Sequence, residues 1–168
     1  MFMNELGLKV LFSRAVPERI QLFVQSELEV DGITYASSNN QLVYLSTGTP
    51  IENIIVEFTG FITVAFASGF AGKAGADVWG VLKERFRQIR ERHRGGLELH
   101  LLEAEGTSEV RYVIPADGAE APIAIESIES DLENLTVIGE RERWWLGPPV
   151  SRWGTGLECV EYRNRQSR

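Results

Sequence analysis

The first third of the chain predicts a strand, a helix and a second strand. Residues 8–13, "LKVLFS", have the pattern of a strand, and residues 42–47, "LVYLST", predict another. Between these strands a helix is expected to begin near Pro17 and to end before Gly32. Its apolar face is formed by residues at helical spacing: Ile20, Phe23, Val24 and Leu28.

Residues 49–58 carry two competing signals. Residues 49–52, "TPIE", have the form of a capping box with proline at the first helical position, which predicts the start of a helix. Residues 51–58, "IENIIVEF", are rich in β-branched side chains, which favour a strand. The sequence leaves open whether residues 51–58 form a strand or a helix.

Two further helices are predicted later in the chain. The first carries apolar residues from Phe66 to Ile89, becomes basic in its later turns and stops at Gly95 and Gly96. The second has acidic residues around an apolar face. That face is formed by Ala121, Ile125, Ile128, Leu132 and Leu135.

Two hairpins complete the predicted elements. Residues 97–102 and 110–114 alternate apolar and polar side chains around a polar turn. Residues 141–146 and 157–162 predict a last hairpin, with Cys159 in its second strand. The elements together predict an α+β fold, a single mixed or antiparallel sheet packed by about three helices.

The composition is that of one globular domain. The chain has 168 residues, of which 43% are hydrophobic and 24% charged. We expect a single domain over residues 1–162 and a polar, basic tail over residues 163–168. Cys159 is the one cysteine, so no internal disulfide can form, and no export signal is evident. A cytoplasmic location is therefore expected.

The apolar stretch at residues 58–79, "FTGFITVAFASGFAGKAGADVW", suggests several structures. Fifteen uncharged residues separate Glu57 from Lys73. They span about 22 Å as a helix, which is short for a bilayer core of about 30 Å. A phosphate-binding loop is excluded because Ala67 and Ala74 replace the glycine and the hydroxyl that it needs. The sequence favours a buried helix of a globular domain.

Small residues recur every four positions in this helix. The stripe consists of Ser68, Gly72, Ala76 and Gly80. Such a stripe lets another backbone approach closely. Packing against the protein's own sheet is the favoured explanation, and a helix contact with another chain is the alternative.

Charge is distributed unevenly around a net value of −7. From Lys83 to Arg94 six lysines and arginines face two glutamates, whereas residues 98–142 hold twelve acidic residues and two arginines. A basic stripe at helical spacing is formed by Lys83, Arg87, Arg90 and Arg94. We expect this stripe to face the acidic segment or solvent rather than nucleic acid.

The loop "RWWLGPPVSRWGTG" is rich in the residue types found at binding hot spots. Its partner-binding candidates are Trp144, Trp145, Arg152 and Trp153. The alternative is that the tryptophans attach a hairpin to the core. Because Trp144 and Trp145 are adjacent on a predicted strand, they must point to opposite sides of the sheet.

No catalytic, metal-binding or cofactor-binding motif is recognisable. The only histidines are His93 and His100, and H-x-x-x-H, C-x-x-C and G-x-S-x-G are all missing. Glu98, His100 and Arg111 could share one sheet face, but a solvated cross-strand cluster explains them more simply. The sequence therefore predicts no catalytic residue, no metal and no cofactor.

Residues 42–92 resemble a group of small uncharacterised bacterial proteins. The resemblance rests on "YLSTGTPIENIIVEF", followed by a glycine-rich apolar helix that becomes basic in "GVLKERFRQIRER". In that group a strand leads into a Ser/Thr-Pro-Leu/Ile-Glu turn and then into a similar helix. The resemblance implies a small α+β bacterial protein with residues 54–58 in the sheet. It implies no catalytic residue and no substrate.

Taken together, these patterns predict a non-enzymatic interaction or accessory protein. It would bind a protein partner, or itself, through the small-residue helix and the tryptophan loop. One alternative is a membrane-acting effector that inserts residues 54–72. Another is an enzyme without a recognisable motif, which would need a pocket that gathers His100 with carboxylates. Nucleic acid is not an expected partner, and membrane association is less expected than protein binding.

Overall fold

The computed structural model describes residues 7–29, 34–41, 52–60, 72–103, 109–135 and 140–168. These residues form seven strands and five helices. In chain order the elements are β1 (Gly7–Ser13), α1 (Glu18–Leu28), β2 (Thr34–Gln41), β3 (Asn53–Thr59), α2 (Gly72–Arg92), β4 (Gly96–Leu102), β5 (Glu109–Val113), α3 (Ala121–Glu126), α4 (Ile128–Asn134), β6 (Glu140–Leu146), β7 (Arg152–Gly154) and α5 (Gly156–Gln166).

All seven strands belong to one mixed sheet with the order β2-β1-β3-β4-β5-β6-β7. Three pairs are parallel: β1 with β2, β3 with β4, and β5 with β6. Three pairs are antiparallel: β1 with β3, β4 with β5, and β6 with β7. Each parallel pair is connected through helices, because its strands run in the same direction. This architecture confirms the predicted α+β fold with a single mixed sheet.

One face of the sheet carries the apolar core. Val10, Val56, Leu99 and Tyr112 are paired across β1, β3, β4 and β5, and each is fully buried. Helix α2 lies on this face, where the Trp79 ring packs edge-on against Phe58 at 6.0 Å between ring centroids. Alternation of side chains along each strand therefore puts apolar residues under the helices.

The opposite face of the same strands is polar. One register row across β1, β3, β4, β5 and β6 consists of Lys9, Glu57, His100, Arg111 and Glu142. At the β6 end of this face Trp144 meets α5, with the Arg163 guanidinium 6.0 Å from its ring centroid. Within the row, Lys9 lies beside Glu57 and Arg111 lies beside Glu142, and such pairs of opposite charge are favourable across strands.

The C-terminal segment corrects one prediction. Residues 157–162 were expected to form a strand, but they lie in α5. Thr155 and Glu158 form a capping box: the Thr155 hydroxyl accepts from the Glu158 amide at 3.1 Å, and the Glu158 carboxylate accepts from the Thr155 amide at 3.3 Å. These bonds satisfy amides at the start of the helix. Cys159 is consequently a buried helix residue rather than a strand residue.

Helix α5 also extends into the segment predicted as a polar tail. It ends at Gln166, so Arg163 and Arg165 form its last turn. Positive side chains there interact favourably with the negative end of the helix dipole.

The ambiguous segment near residue 53 is a strand. Asn53–Thr59 forms β3 in the middle of the sheet, between β1 and β4, where β-branched side chains pack well. Residues 49–51 of the candidate capping box and the strand expected at 42–47 lie outside the described residues. The edge strand β2, Thr34–Gln41, was not predicted because its sequence "TYASSNNQ" has no apolar alternation.

The acidic helix is divided into α3 and α4. The division falls at Ser127, whose hydroxyl donates to the Ile123 carbonyl oxygen at 2.8 Å. A serine that bonds back into the preceding turn competes with regular helical geometry. Four of the five residues of the expected apolar face are buried, and Leu135 is partly buried.

Candidate partner-binding cleft

A cleft of about 610 Å³ lies between α2 and α3. Three arginines of α2 and its C-terminal end, Arg87, Arg90 and Arg94, form one wall. The other side is lined by Ala121, Pro122 and Ile125 of α3. Its volume falls within the range of ligand-binding sites, about 300–1,000 Å³. The cleft thus combines an apolar side with a basic wall.

The arrangement of α2 explains why arginines line the cleft. Trp79, Leu82, Phe86 and Ile89 are fully buried and recur at helical spacing. The arginines at positions 87, 90 and 94 recur with the same period, three and four residues apart, along the adjoining side of the helix. Packing of the apolar face therefore fixes where the basic stripe points.

Arg90 is a structural residue. Its side chain is buried, with 3% exposure. The guanidinium donates four hydrogen bonds of 2.8–3.0 Å to backbone carbonyl oxygens, those of His93, Gly95, Ile114 and Pro115. Burial, and repulsion by the neighbouring Arg94 charge, lower the pKa of Arg90 to about 10. Arg90 ties the end of α2 to the end of β5 and has little bonding capacity left for a ligand.

Arg94 differs from Arg90 both in exposure and in hydrogen bonding. It is exposed, and the one hydrogen bond that it makes to a described residue runs from Nη1 to the Ala116 carbonyl oxygen at 3.3 Å. Among the described residues no carboxylate lies within ion-pair distance of its guanidinium. Gly118 makes room for it, because a Cβ at that position would lie 2.9 Å from Arg94 Nη1. Arg94 is therefore a charged group at the cleft with free donors.

Lys83 and Arg87 contact the acidic helices. Lys83 Nζ lies 3.0 Å from Glu126 and 3.9 Å from Glu129. Arg87 lies 2.9 Å from Glu126 and 3.4 Å from Glu84. The basic stripe is thus heterogeneous: two members form exposed ion pairs, one is buried on carbonyl oxygens, and one has no carboxylate partner in the part of the chain that the structure describes.

Two of the three tryptophans in the predicted loop belong to the core. Trp145 and Trp153 are 8% and 3% exposed and pack edge-on at 5.3 Å. Their indole nitrogens donate to Glu120 and to the Ala124 carbonyl oxygen, respectively. Only Arg152 of the four candidates is exposed, and it lies 2.9 Å from Glu158.

Trp144 is half-buried and points to the sheet face opposite Trp145. Its indole lies against the start of α5, where a Cβ added at Gly156 would be 3.4 Å from Nε1. The predicted division of the Trp144–Trp145 pair between the two faces is what the strand geometry produces.

The small-residue stripe can be followed only in part. Ser68 lies outside the described residues, and Gly72 and Ala76 lie in the first turns of α2. Gly80 is exposed, and a Cβ added there would meet no atom within 4 Å. At Gly80 the described part of the chain therefore offers no close packing contact, and the packing role of the stripe stays a prediction.

The polar sheet face brings His100 together with carboxylates. His100 Nδ1 lies 3.2 Å from Glu109 and Nε2 lies 3.5 Å from Glu98. Asn53 donates to Glu98 at 3.1 Å. The bonds from His100 and Asn53 lower the pKa of the Glu98 carboxyl, against the effect of burial. Because a carboxyl with a lowered pKa stays ionised at neutral pH, Glu98 is a weak proton acceptor.

Among the described residues, no group of histidine, cysteine and acidic side chains has an arrangement that could hold a metal ion. No helix in the described ranges is long and apolar enough to cross a membrane, and residues 61–71 of the apolar stretch lie outside those ranges.

Sequence reasoning found the arginines but missed the other side of the cleft. Ala121 and Ile125 were predicted only as a core face, and Pro122 and Gly118 were not singled out. The signal was weak because these residues meet α2 through contacts between distant positions of the chain, such as Arg87 and Glu126, which are 39 positions apart.

No protein-family model matches the chain, and no curated protein matches it. Among solved structures, the chain is similar to a 5-carboxymethyl-2-hydroxymuconate isomerase from Deinococcus radiodurans R1. The TM-score is 0.34 at 16% sequence identity, and the similarity covers 61% of this chain and 84% of that chain. A likeness at this level carries no argument about fold or activity.

Proposed function

We propose that the protein is a non-enzymatic interaction protein that binds another protein at the α2–α3 cleft. The observation that carries this proposal is the position of Arg94, an exposed charge at the edge of a cleft with an apolar side, for which the described residues supply no carboxylate partner. Arginine beside apolar residues is a combination enriched at protein-binding hot spots.

Rigidity of the cleft wall supports this role. The four hydrogen bonds of Arg90 fix the end of α2 against β5. Ala121 and Ile125 of α3 are buried in the same core cluster as Phe86 of α2, and this packing holds α3 against α2. A preformed site loses less conformational entropy on binding than a site that must first become ordered.

The cytoplasm of a bacterial cell is the compartment that we propose. Cys159 is a buried free thiol, and the sequence contains no second cysteine. Free thiols persist in reducing compartments.

The proposal can be tested by site-specific photo-crosslinking in cells that express the protein naturally. A benzoylphenylalanine replaces Glu91, an exposed α2 residue that lines the cleft. The matched control carries it at Glu161, an exposed glutamate of α5. We expect a discrete adduct from position 91 that is missing from position 161.

An adduct of twice the chain mass would identify the partner as a second copy, which also satisfies the proposal. Failure of position 91 to form any adduct, or identical adducts from both positions, would overturn it.

A further inference from the structure

Building on the proposed function, we infer that the bound segment of the partner is acidic and that its carboxylates bind the cleft through Arg94, with Arg87 beside it. The inference rests on which donors of the basic wall are free. The partner segment would be acidic, and Gly118 would be a positioning residue for Arg94.

Arg94 differs from Arg90 in how many of its hydrogen-bond donors are already used by described residues. An arginine has five N–H donors. Arg90 uses its donors on four carbonyl oxygens, so it contributes positive charge but little hydrogen bonding. Within the described ranges Arg94 makes one hydrogen bond, a long one of 3.3 Å. A carboxylate can therefore bind the exposed edge of Arg94 without displacing a protein carboxylate.

Arg87 can bind a second carboxylate, but with a smaller gain in binding free energy. Its guanidinium is about one-third exposed and already lies near Glu84 and Glu126, both more than half exposed. Exposed ion pairs contribute little to stability and can exchange partners. An incoming acidic side chain thus competes with weak pairs at Arg87 and with no ion pair from a described residue at Arg94.

The acidic side chains around the cleft favour a peptide over a nucleic acid. Glu84 and Glu91 line it, and Glu126 lies at its edge. Duplex DNA carries about one charge per 1.7 Å of its axis, so a continuous backbone would be brought close to these carboxylates. A peptide can place one or two carboxylates at the arginines and turn apolar atoms toward Pro122, which is exposed.

Gly118 controls the position of Arg94. Any side chain at 118 would bring a Cβ to 2.9 Å from Arg94 Nη1, closer than atoms pack, so the guanidinium would have to move. The displaced atom is the free end of a long side chain, and Gly118 has no positive φ that would strain an alanine. Gly118→Ala therefore moves the charge without removing it.

The experiment measures fluorescence anisotropy of a labelled hexaglutamate peptide with the full chain at low salt. We expect saturable binding, weakened about tenfold by Arg94→Gln, the cost of one charge-assisted hydrogen bond. The matched charge control is Arg165→Gln on α5, which is expected to bind as the parent does. Gly118→Ala is expected to weaken binding about threefold because the guanidinium is displaced. Gly80→Ala, an exposed glycine of α2, is its control.

Three results would overturn the inference. Equal losses from Arg94→Gln and Arg165→Gln would show non-specific charge attraction. Duplex DNA that binds more tightly than the peptide, with the same dependence on Arg94, would assign the site to phosphates. An adduct from position 91 without hexaglutamate binding would reject acidic chemistry and leave the proposed function standing. Peptide binding without that adduct would reject the proposed function instead.

Discussion

The two faces of the sheet are built from alternate residues of the same strands, but they are stabilised by different physics. On the face under α2, Val56 and Leu99 are fully buried and neighbour other apolar side chains. On the other face, Glu57 and His100 are paired at equivalent positions one residue along. Burial of apolar area acts at every pH, whereas a network of ionised groups depends on protonation.

A single strand therefore has to supply apolar side chains to one face of the sheet and polar side chains to the other. In β4, Leu97, Leu99 and Leu101 supply the core, and Glu98 and His100 supply the polar network. A change at an odd-numbered position of this strand is therefore expected to cost packing energy. A change at Glu98 is expected to alter the dependence of stability on pH.

The largest expected effect comes from removing a large side chain from the apolar core between the sheet and α2. Trp79→Ala removes a fully buried ring that packs on Phe58, and we expect a loss of about 3–5 kcal/mol in the free energy of unfolding. Urea denaturation followed by far-UV circular dichroism measures it. Val81→Ala, on the exposed side of α2, is the control and should change stability by less than about 0.5 kcal/mol. Similar losses from the two variants would contradict a one-sided core.

A smaller, pH-dependent effect is expected on the polar face. The folded-state pKa of Glu98 is lowered, first by the hydrogen bond from His100 and then by that from Asn53. Its contribution is thus present above the unfolded pKa of 4.5 and is lost as pH falls through the lower folded-state value. Glu98→Gln should lower stability by about 1 kcal/mol near neutral pH.

The measurement is the urea midpoint of parent and Glu98→Gln proteins at about pH 6 and about pH 3. The difference between them should shrink at the lower pH. Glu161→Gln, an exposed change on α5, provides the control. A difference that persists unchanged at low pH would show that Glu98 contributes through shape and not through charge.

The smallest expected effect on stability is at Gly80, on the outer side of α2. Gly80 is exposed with open space around its Cα, so Gly80→Ala should raise stability by up to about 1 kcal/mol through better helix propensity. Thermal unfolding measures the gain. If the small-residue stripe instead packs against a second chain, the variant would lose stability and change its elution on a sizing column as concentration varies.

Elements that depend on local periodicity could be predicted from the sequence. In α1 the predicted apolar face, Ile20, Phe23, Val24 and Leu28, packs into the core of the protein. The hairpin of β4 and β5 follows from the alternation of apolar and polar residues. The last helix could not be read this way because "LECVEY" fits both a strand and a helix. There the capping box at Thr155 decides the outcome.

The cleft could be predicted only in part. Helical spacing places Arg87, Arg90 and Arg94 on one side of α2. Nothing in that spacing shows that Arg90 is buried, because its acceptors at Ile114 and Pro115 lie more than twenty residues away. The burial of Trp153 could not be read from the loop for the same reason, because its indole nitrogen donates to the Ala124 carbonyl oxygen in a different part of the sequence.

The order of strands has a consequence for how the chain is made. The parallel pairs β1–β2, β3–β4 and β5–β6 follow one another across the sheet in the order in which they are synthesised, and β7 comes last at the edge. Each pair needs only its own helical connection before its strands can meet, which keeps the closed loops short. The sheet can therefore grow from its β2 edge to its β7 edge as the chain leaves the ribosome.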